Sequence, residues 1–186
     1  MANTLINNNG CRTYYNNDST TAPYIWTNAY GQIYLNADMS DMFKGCGSLA
    51  INIKTLPFNY DYVTNMVNAY DHCYNITGSP VCGANVINMS SSYYYSCNLT
   101  GPPVCGANVT DMSSAYRFCN NLTGSPVCGA KVTNMFNAYG YCFNITGAPV
   151  CGANVINMSY TYTSCGNLTG APACGANVTD MSYTYS

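Results

Sequence analysis

Residues 99–121 read LTGPPVCGANVTDMSSAYRFCNN, and this 23-residue unit recurs without insertion from Met66 to the end of the chain. Cysteine, methionine and tyrosine each return at a fixed place of the unit. A fixed period of this length predicts a solenoid, in which each unit is one rung that contacts only its neighbours. We number the places of a unit from Leu99. The recurring residues are Cys82, Cys105, Cys128, Cys151 and Cys174, then Met66, Met89, Met112, Met135, Met158 and Met181, then Tyr70, Tyr93, Tyr116, Tyr139, Tyr162 and Tyr185.

The composition favours strands and turns. The 186 residues include 19 Tyr and 12 Cys but only 5 Lys+Arg, and all 7 acidic residues are Asp. Residues that favour helices, such as Glu and Lys, are scarce, whereas Tyr, Thr, Val, Asn and Gly are typical of strands and tight turns. So few basic residues disfavour nucleic-acid binding, and no apolar run is long enough to predict membrane insertion. The opening Met1–Thr4 has no basic residue and no apolar stretch after it, so no signal peptide is expected.

Small or apolar residues fall at places 1, 4, 6, 9, 11, 14, 18 and 21 of the unit, as they do in leucine-rich repeats. The motif A-Y-x-x-C occurs at Ala69–Cys73, Ala115–Cys119 and Ala138–Cys142, and the stretches Asn108–Ser113 and Ala37–Cys46 read like N-V-T-x-M-S. These motifs resemble the BspA-like leucine-rich-repeat family over residues 36–186. The resemblance implies a β-rich solenoid of parallel stacked rungs that is displayed on a surface and binds a partner.

The unit departs from the family pattern at two places. Place 5 is proline in each rung where a concave strand is expected, so the strand is expected to be short, limited to the Val-Cys pair, with one ladder hydrogen bond missing. Place 4 is small, which predicts a narrow core on that side. The segment Asn-Val-[Thr/Ile]-[Asn/Asp]-Met predicts a second strand, and with it an alternative fold, the parallel β-helix. The prolines are Pro80, Pro103, Pro126, Pro149 and Pro172.

Two regions are predicted. Residues 1–35 are expected to form an N-terminal cap or attachment segment, with a hairpin whose arms are 24–26 and 33–35; the polar residues 7–10 are expected to be a loop. Residues 36–186 are expected to form the solenoid of six rungs, the last incomplete. Because nothing caps the last rung, a longer parent chain, head-to-tail self-association or attachment to a larger assembly is expected.

The cysteines allow several interpretations. They are too widely separated along the chain to form the paired C-x-x-C knuckles of zinc sites, so no metal and no cofactor is expected. Cysteines at one place of neighbouring rungs would lie about 4.8 Å apart, which allows disulfides between rungs. A second row, Cys73, Cys119, Cys142 and Cys165, is either reduced core filling or bridged as well. The candidates for disulfides are Cys11, Cys46, Cys82, Cys105, Cys128, Cys151 and Cys174.

Asparagine also recurs in register. Ten N-x-[S/T] motifs occur, and half of them start at place 23. They are either glycan attachment sites of a secreted protein or turn caps that form hydrogen-bonded rows, and the second interpretation is favoured. The candidates are Asn75, Asn98, Asn121, Asn144 and Asn167. Asp111 and Asp180, which replace Asn at place 13, are interpreted as equivalents of Asn rather than as calcium ligands.

The chain has no Ser-His-Asp set and no phosphate loop, and its single His72 is interpreted as a surface substitution, so no enzyme is expected. Tyr94, Tyr95, Tyr160 and Tyr183 are expected to lie outside the core, where tyrosines suit carbohydrate or protein recognition. The first hypothesis is a non-enzymatic structural and adhesive protein, a fibre or appendage component of a virus particle with a partner on a host or cell surface. The alternatives are a microbial cell-surface or secreted adhesin, with or without glycans, and a self-assembling extracellular filament subunit. The expected location is extracellular or the surface of a virus particle.

Overall fold

A computed structural model describes residues 5–8, 11–14, 33–56, 58–170 and 173–186, with the backbone alone described for 5–8, 11–14 and 33–34. Within these ranges, no helix is long and apolar enough to cross a membrane. The regular elements are strands β1 (Leu5–Asn8), β2 (Cys11–Tyr14) and β3 (Ile33–Tyr34), a 3₁₀ helix (Ile53–Thr55) and strand β4 (Phe58–Asn59).

The N-terminal residues form a hairpin that the sequence analysis did not anticipate. Strands β1 and β2 pair in antiparallel register, from Leu5 opposite Tyr14 to Asn8 opposite Cys11. Asn9 and Gly10, between the strands in the sequence, lie outside the described residues. The predicted loop at 7–10 is therefore wrong for its first two residues, which are in β1. Of the predicted hairpin at 24–35, residues 24–32 lie outside the described residues, and β3 pairs in parallel with β4.

Parallel bridges join each 23-residue unit to the next at place 13. Successive partners are one unit apart, except that a longer first rung, which contains the 3₁₀ helix Ile53–Thr55, separates Asp38 from Asn65. The result is a column of stacked rungs with equivalent residues in rows along its axis. The bridges are Asp38–Asn65, Asn65–Asn88, Asn88–Asp111, Asp111–Asn134, Asn134–Asn157 and Asn157–Asp180. The leucine-rich-repeat class and the parallel β-helix alternative stay predictions, as does the boundary between residues 35 and 36.

Backbone hydrogen bonds run between rungs in both directions along the column. The Thr110 N–H donates back to the Ile87 C=O at 2.8 Å, while the Met112 N–H donates forward to the Asn134 C=O at 2.9 Å. Forward donation repeats at every second residue as far as place 20, so this side of each rung, a run of turns, is paired with the rungs on both sides of it. This pairing fixes the register of the rungs and therefore of every surface row.

The core is a thin column to which each rung contributes the same places. Val109, Met112, Tyr116, Cys119 and Leu122 are all fully buried, and so are most of their equivalents. The tyrosines at place 18 stack face to face from Tyr70 to Tyr185, with ring centroids 5.2–5.7 Å apart, and all of them except Tyr185 are buried. Burying a large side chain contributes about 1.5–3 kcal/mol, so the row of tyrosines is a main source of stability.

The prediction that place 4 lies in a narrow core is wrong. Pro102 and its equivalents Ser125 and Ala148 are exposed, and so is Ala107 at place 9. The proline at place 5 is buried instead, as Pro103 shows. Proline suits this buried place because it has no N–H group that would need a hydrogen-bond partner.

The expected Val-Cys strand is replaced by a link to the core tyrosine. The Tyr116 hydroxyl donates to the Val104 C=O at 2.6 Å and accepts from the Val104 N–H at 3.2 Å. The same pair of bonds recurs at Tyr93 and at Tyr139. Among the described residues of the Val-Cys segments, only Val150 forms a parallel bridge to the next rung, with Ala173. The phenol therefore satisfies the backbone groups that a strand partner would otherwise satisfy.

Candidate binding surface

Seven aromatic side chains form a continuous patch on one side of the column, which we call the aromatic stripe. They occupy places 19, 20 and 22 of successive rungs, and none of them is buried. The stripe consists of His72, Tyr74, Tyr94, Tyr95, Phe118, Tyr141 and Phe143.

The stripe rests on an unusual backbone conformation. Each rung makes a turn in which the N–H of place 21 donates to the C=O of place 18, as Cys119 does to Tyr116 at 3.0 Å. The third residue of this turn has a positive φ, as in type II turns, where glycine is preferred. Here that residue is aromatic in four successive rungs, with φ between 57° and 64°. An aromatic residue in this conformation costs about 1–3 kcal/mol, so local backbone preference does not account for the rings. The four are His72, Tyr95, Phe118 and Tyr141.

These four rings stack along the column axis. The ring centroids of Tyr95 and Phe118 are 4.2 Å apart, and those of Phe118 and Tyr141 are 4.6 Å apart, with planes within 18° of parallel. His72 lies 5.0 Å from Tyr95. Each stacked pair contributes about 0.5–1.5 kcal/mol, which offsets part of the backbone cost and holds the rings rigid.

Three further rings flank the stack edge-on. Tyr74 is inclined by 85° to His72, Tyr94 by 89° to Tyr95, and Phe143 by 87° to Tyr141. Tyr74 is 44% exposed and Phe143 is 47% exposed. These two rings lie three rungs apart, about 14 Å along the axis, and mark the two ends of the stripe.

Arg117 lies among the rings in the middle of the stripe. Its guanidinium carbon is 4.8 Å from the ring centroid of Phe118 and 5.8 Å from those of Tyr94 and Tyr141. Contacts of this kind are attractive because the cation lies over the negative face of the ring. The Nε atom of Arg117 is buried and has no hydrogen-bond partner.

The His72 end of the stripe carries the acidic groups. The His72 Nδ1 atom contacts the Asp71 Oδ1 atom, and the Lys44 Nζ lies 3.5 Å from the Asp71 Oδ2. Lys44 also lies 3.4 Å from Asp41. His72 therefore belongs both to this polar cluster and to the stripe.

A second surface feature is a shallow groove that runs along the column between places 10 and 12. One side of the groove is lined by Asn85, Asn108 and Lys131, and the other side includes Ile87 and Thr110. The Lys131 Nζ donates to the Asn108 Oδ1 at 2.7 Å, and asparagines in this row donate to the backbone of the preceding rung. The polar groups of this groove are largely used to hold neighbouring rungs together.

The cysteines fall into two rows with different environments. The row at place 21 is buried, and the Cys119 and Cys142 thiols donate to the C=O of Tyr93 and Tyr116, both at 2.9 Å. Burial raises the pKa of both thiols well above its usual value. Ser96 takes this place in the rung where the cysteine is shifted to Cys97, and its hydroxyl makes the equivalent bond to Tyr70 at 2.7 Å. These thiols therefore fill the core and donate hydrogen bonds across rungs, and whether the row is reduced or bridged stays a prediction.

The candidates for disulfides are only partly described. Cys46 is disulfide-bonded, and the side chain of Cys11 lies outside the described residues. The cysteines at place 7 are free thiols, and bridges between them stay a prediction. Burial raises the pKa of Cys82, Cys105 and Cys128 to about 11. Among the described residues, no group of three or more His, Cys or Asp could hold a metal ion. The free thiols of this row are Cys82, Cys105, Cys128, Cys151 and Cys174.

The asparagines at place 23 are exposed but tied to the column. The side-chain amides of Asn75, Asn144 and Asn167 donate to backbone C=O groups of the preceding rung at 2.7–2.9 Å, and Asn121 lies 3.5 Å from the Asn98 Oδ1. This geometry fits the interpretation as hydrogen-bonded rows. Glycan attachment at Asn75, Asn98, Asn121, Asn144 and Asn167 stays a prediction.

The stripe was only partly visible in the sequence. Tyr94, Tyr95, Tyr160 and Tyr183 were expected outside the core, and none of them is buried. The varying residues His72, Arg117 and Tyr141 did not suggest a site when taken one by one. The signal that could have found it is a ring at place 20 in four successive units.

No protein-family model, no curated protein and no solved structure matches this chain.

Proposed function

We propose that this chain is a non-enzymatic structural and adhesive repeat protein whose aromatic stripe binds carbohydrate on a host or cell surface. The observation that carries the proposal is the stack of four rings at place 20, where the positive φ of the turn favours glycine. The same φ recurs at place 16 of every rung, so the run of four stacked rings, and not the conformation alone, sets the stripe apart.

The geometry suits a chain-like ligand. Tyr74 and Phe143 offer exposed rings about 14 Å apart, and the stacked rings between them are fixed in register by the rungs. A surface that repeats along an axis fits a ligand that repeats along its own length, as a polysaccharide does. Rigid aromatic side chains lose little conformational entropy when a ligand binds.

The setting that we propose is extracellular, as a fibre or appendage component of a virus particle. A column whose rungs are joined by backbone hydrogen bonds is rigid along its axis, and polar amides and hydroxyls rather than charges cover it. Both properties suit a shaft that presents a binding surface.

A binding assay with paired variants tests the proposal. Cells and a glycan array are probed with the parent protein, the double variant Tyr74→Ala/Phe143→Ala and the control Phe136→Ala. Phe136 is also exposed (39%) but packs against Tyr160, outside the stripe. We expect the double variant to lose at least tenfold in affinity for glycans while the control retains it. Equal binding by all three proteins, or binding to cells that survives removal of their glycans, would contradict the proposal.

A further inference from the structure

None of the ion pairs among the described residues involves Arg117. Among the described residues, ion pairs join Lys44 to Asp41 and Asp71, and His72 contacts the Asp71 carboxylate. Arg117 takes part in none of them, and its partners are the rings of Tyr94, Phe118 and Tyr141. Within the part of the chain that the structure describes, the middle of the aromatic stripe therefore carries an uncompensated positive charge.

The surroundings make this charge well suited to recognition. Three rings hold the guanidinium in place, so a ligand need not order a flexible side chain. Rings also exclude water from one side of the group, which strengthens its attraction for an anion. A guanidinium binds a carboxylate through two parallel hydrogen bonds, a geometry that an ammonium group cannot reproduce.

The number of charges indicates which kind of anion fits. Nucleic acids and other polyphosphates are bound by many cations along the backbone. The stripe has one uncompensated cation in about 14 Å, between two exposed rings. This density fits a chain of sugars in which a residue bears a single carboxylate.

We infer that the aromatic stripe selects acidic glycans, with Arg117 binding the carboxylate of a sugar while the flanking rings pack against its neighbours. The inference rests on the proposed function, because it names the class of carbohydrate that the same stripe binds. Arg117 is the residue that determines specificity, and the rings of Tyr74 and Phe143 supply contact area to acidic and neutral sugars alike.

The test compares acidic glycans with their methyl esters, which keep the sugar and remove the charge. The probes are oligogalacturonate, oligoalginate and sialyllactose, each as free acid and as methyl ester, and the measurement is the Kd. We expect the parent protein to bind at least one free acid about tenfold more tightly than its ester, as one charge-assisted contact predicts. This preference should weaken as salt is added, because exposed charges are screened.

Variants then assign the preference to one side chain. Arg117→Gln should bind acid and ester equally, at the affinity of the ester for the parent protein. Arg117→Lys should keep only part of the preference, and Lys131→Gln, which removes a cation from the groove, should keep all of it. The double variant Tyr74→Ala/Phe143→Ala should weaken the binding of acid and ester by the same factor.

The outcomes separate the two proposals. If the parent protein binds acid and ester equally, or if Arg117→Gln keeps the preference, the inference is wrong and the proposed carbohydrate binding stands. If no free acid binds but neutral glycans do, the inference fails in the same way. If no glycan binds and cell attachment depends on a protein, both proposals fail.

Discussion

The phenolic oxygen of Tyr139 lies 2.6 Å from the carbonyl oxygen of Val127 and 3.2 Å from its nitrogen, so one buried hydroxyl satisfies both polar groups of a residue that follows a proline. Pro126 at place 5 is buried and has no N–H group, and the next residue has no partner strand at this point. The row of core tyrosines therefore does two things: its rings stack through the column, and its hydroxyls hold the Pro-Val segment of each rung in place.

Removing this hydroxyl should destabilise the column. In Tyr139→Phe the ring still stacks, but two backbone groups lose their partner, and we expect the free energy of unfolding to fall by about 1–3 kcal/mol. The matched control is Tyr162→Phe, because the Tyr162 hydroxyl is buried without a hydrogen-bond partner. That variant should be as stable as the parent or slightly more stable. Urea unfolding followed by circular dichroism measures both; equal losses in the two variants would mean that the hydroxyl contributes little.

Thiol labelling should follow the two cysteine rows. In the native protein we expect iodoacetamide to modify the exposed Cys174 first, and to modify Cys119 and Cys142 only after denaturant is added, since burial excludes the reagent and keeps both thiols protonated. Mass spectrometry of peptides gives the order. Intact mass before and after reduction shows whether the row at place 7 is bridged in material from the native source. Labelling of Cys119 as fast as that of Cys174 would contradict the buried row.

The repeating core could be predicted from the sequence because the fixed period places Met112, Tyr116 and Cys119 in register without any knowledge of the fold. The sequence could not predict which residues of the remaining segments face the core. Whether Pro102 or Pro103 enters the core depends on how the chain turns after Gly101, whose φ is 77°. A Cβ atom at Gly101 would lie 2.4 Å from the Ser79 hydroxyl of the preceding rung, so the glycine allows both the turn and the close approach.

The stripe could be predicted only in part: a ring recurs at place 20 of four successive units, but the sequence does not show which residues of other places join it. His72, Arg117 and Tyr141 come from different rungs and from two places of the unit, and a surface that varies from rung to rung has no period. Only the positive φ at place 20 shows that these side chains project from the same turn. The sequence identifies this place as a turn in the first rung, where it is Gly45, but offers no such clue where it is aromatic.

Alkaline pH should unfold the protein cooperatively. Burial raises the pKa of Tyr93, Tyr116 and Tyr139 well above the usual value, and raises the pKa of Cys73 to about 12. Because these pKa values are higher in the folded state, their contribution to stability is complete below the unfolded values of about 8.5 for Cys and about 10 for Tyr. It is lost as the pH rises toward the folded values. The urea midpoint should therefore fall steeply above pH of about 9, and phenolate absorbance from these tyrosines should appear together with unfolding rather than before it.

Aspartates at place 13 of two neighbouring rungs should lower the stability of the protein. At this place a side-chain oxygen accepts from the N–H two residues later, as Asn134 does from Phe136 at 3.0 Å and Asp111 does from Ser113 at 2.7 Å, so either residue type fits a single rung. The Asn134 amide also lies 3.3 Å from the Asp111 carboxylate, a contact that Asn134→Asp would turn into repulsion. We expect a loss of about 0.5–1 kcal/mol at pH 7 that disappears below pH of about 4, when the carboxylates are protonated.

The control for this variant is Asp111→Asn, which keeps the oxygen and removes the charge. It should be about as stable as the parent between pH 4 and 7, and combining it with Asn134→Asp should restore stability at pH 7. Thermal unfolding at the two pH values measures these differences. An Asn134→Asp variant whose stability follows the parent at both pH values would show that the carboxylates of neighbouring rungs are fully screened.

Relief of backbone strain should be measurable at a single serine. Ser114 is the third residue of the turn that the Ala115 N–H closes to the Met112 C=O at 2.9 Å, and its φ is 53°. This conformation costs a residue with a Cβ atom about 1–2 kcal/mol, whereas glycine adopts it freely. Glycine also lowers stability by about 0.5–1 kcal/mol because it makes the unfolded chain more flexible. The neighbouring variant Ser113→Gly also makes the unfolded chain more flexible, but it relieves no backbone strain, because Ser113 has no positive φ.

The two glycine variants should therefore differ in stability. We expect the unfolding free energy of Ser114→Gly to exceed that of Ser113→Gly by about 1–2 kcal/mol, the strain that glycine relieves. Urea titrations of the two variants measure this difference. Equal stabilities would mean that the turn relaxes around serine at no cost, and would remove the strain argument for the rings at place 20 as well.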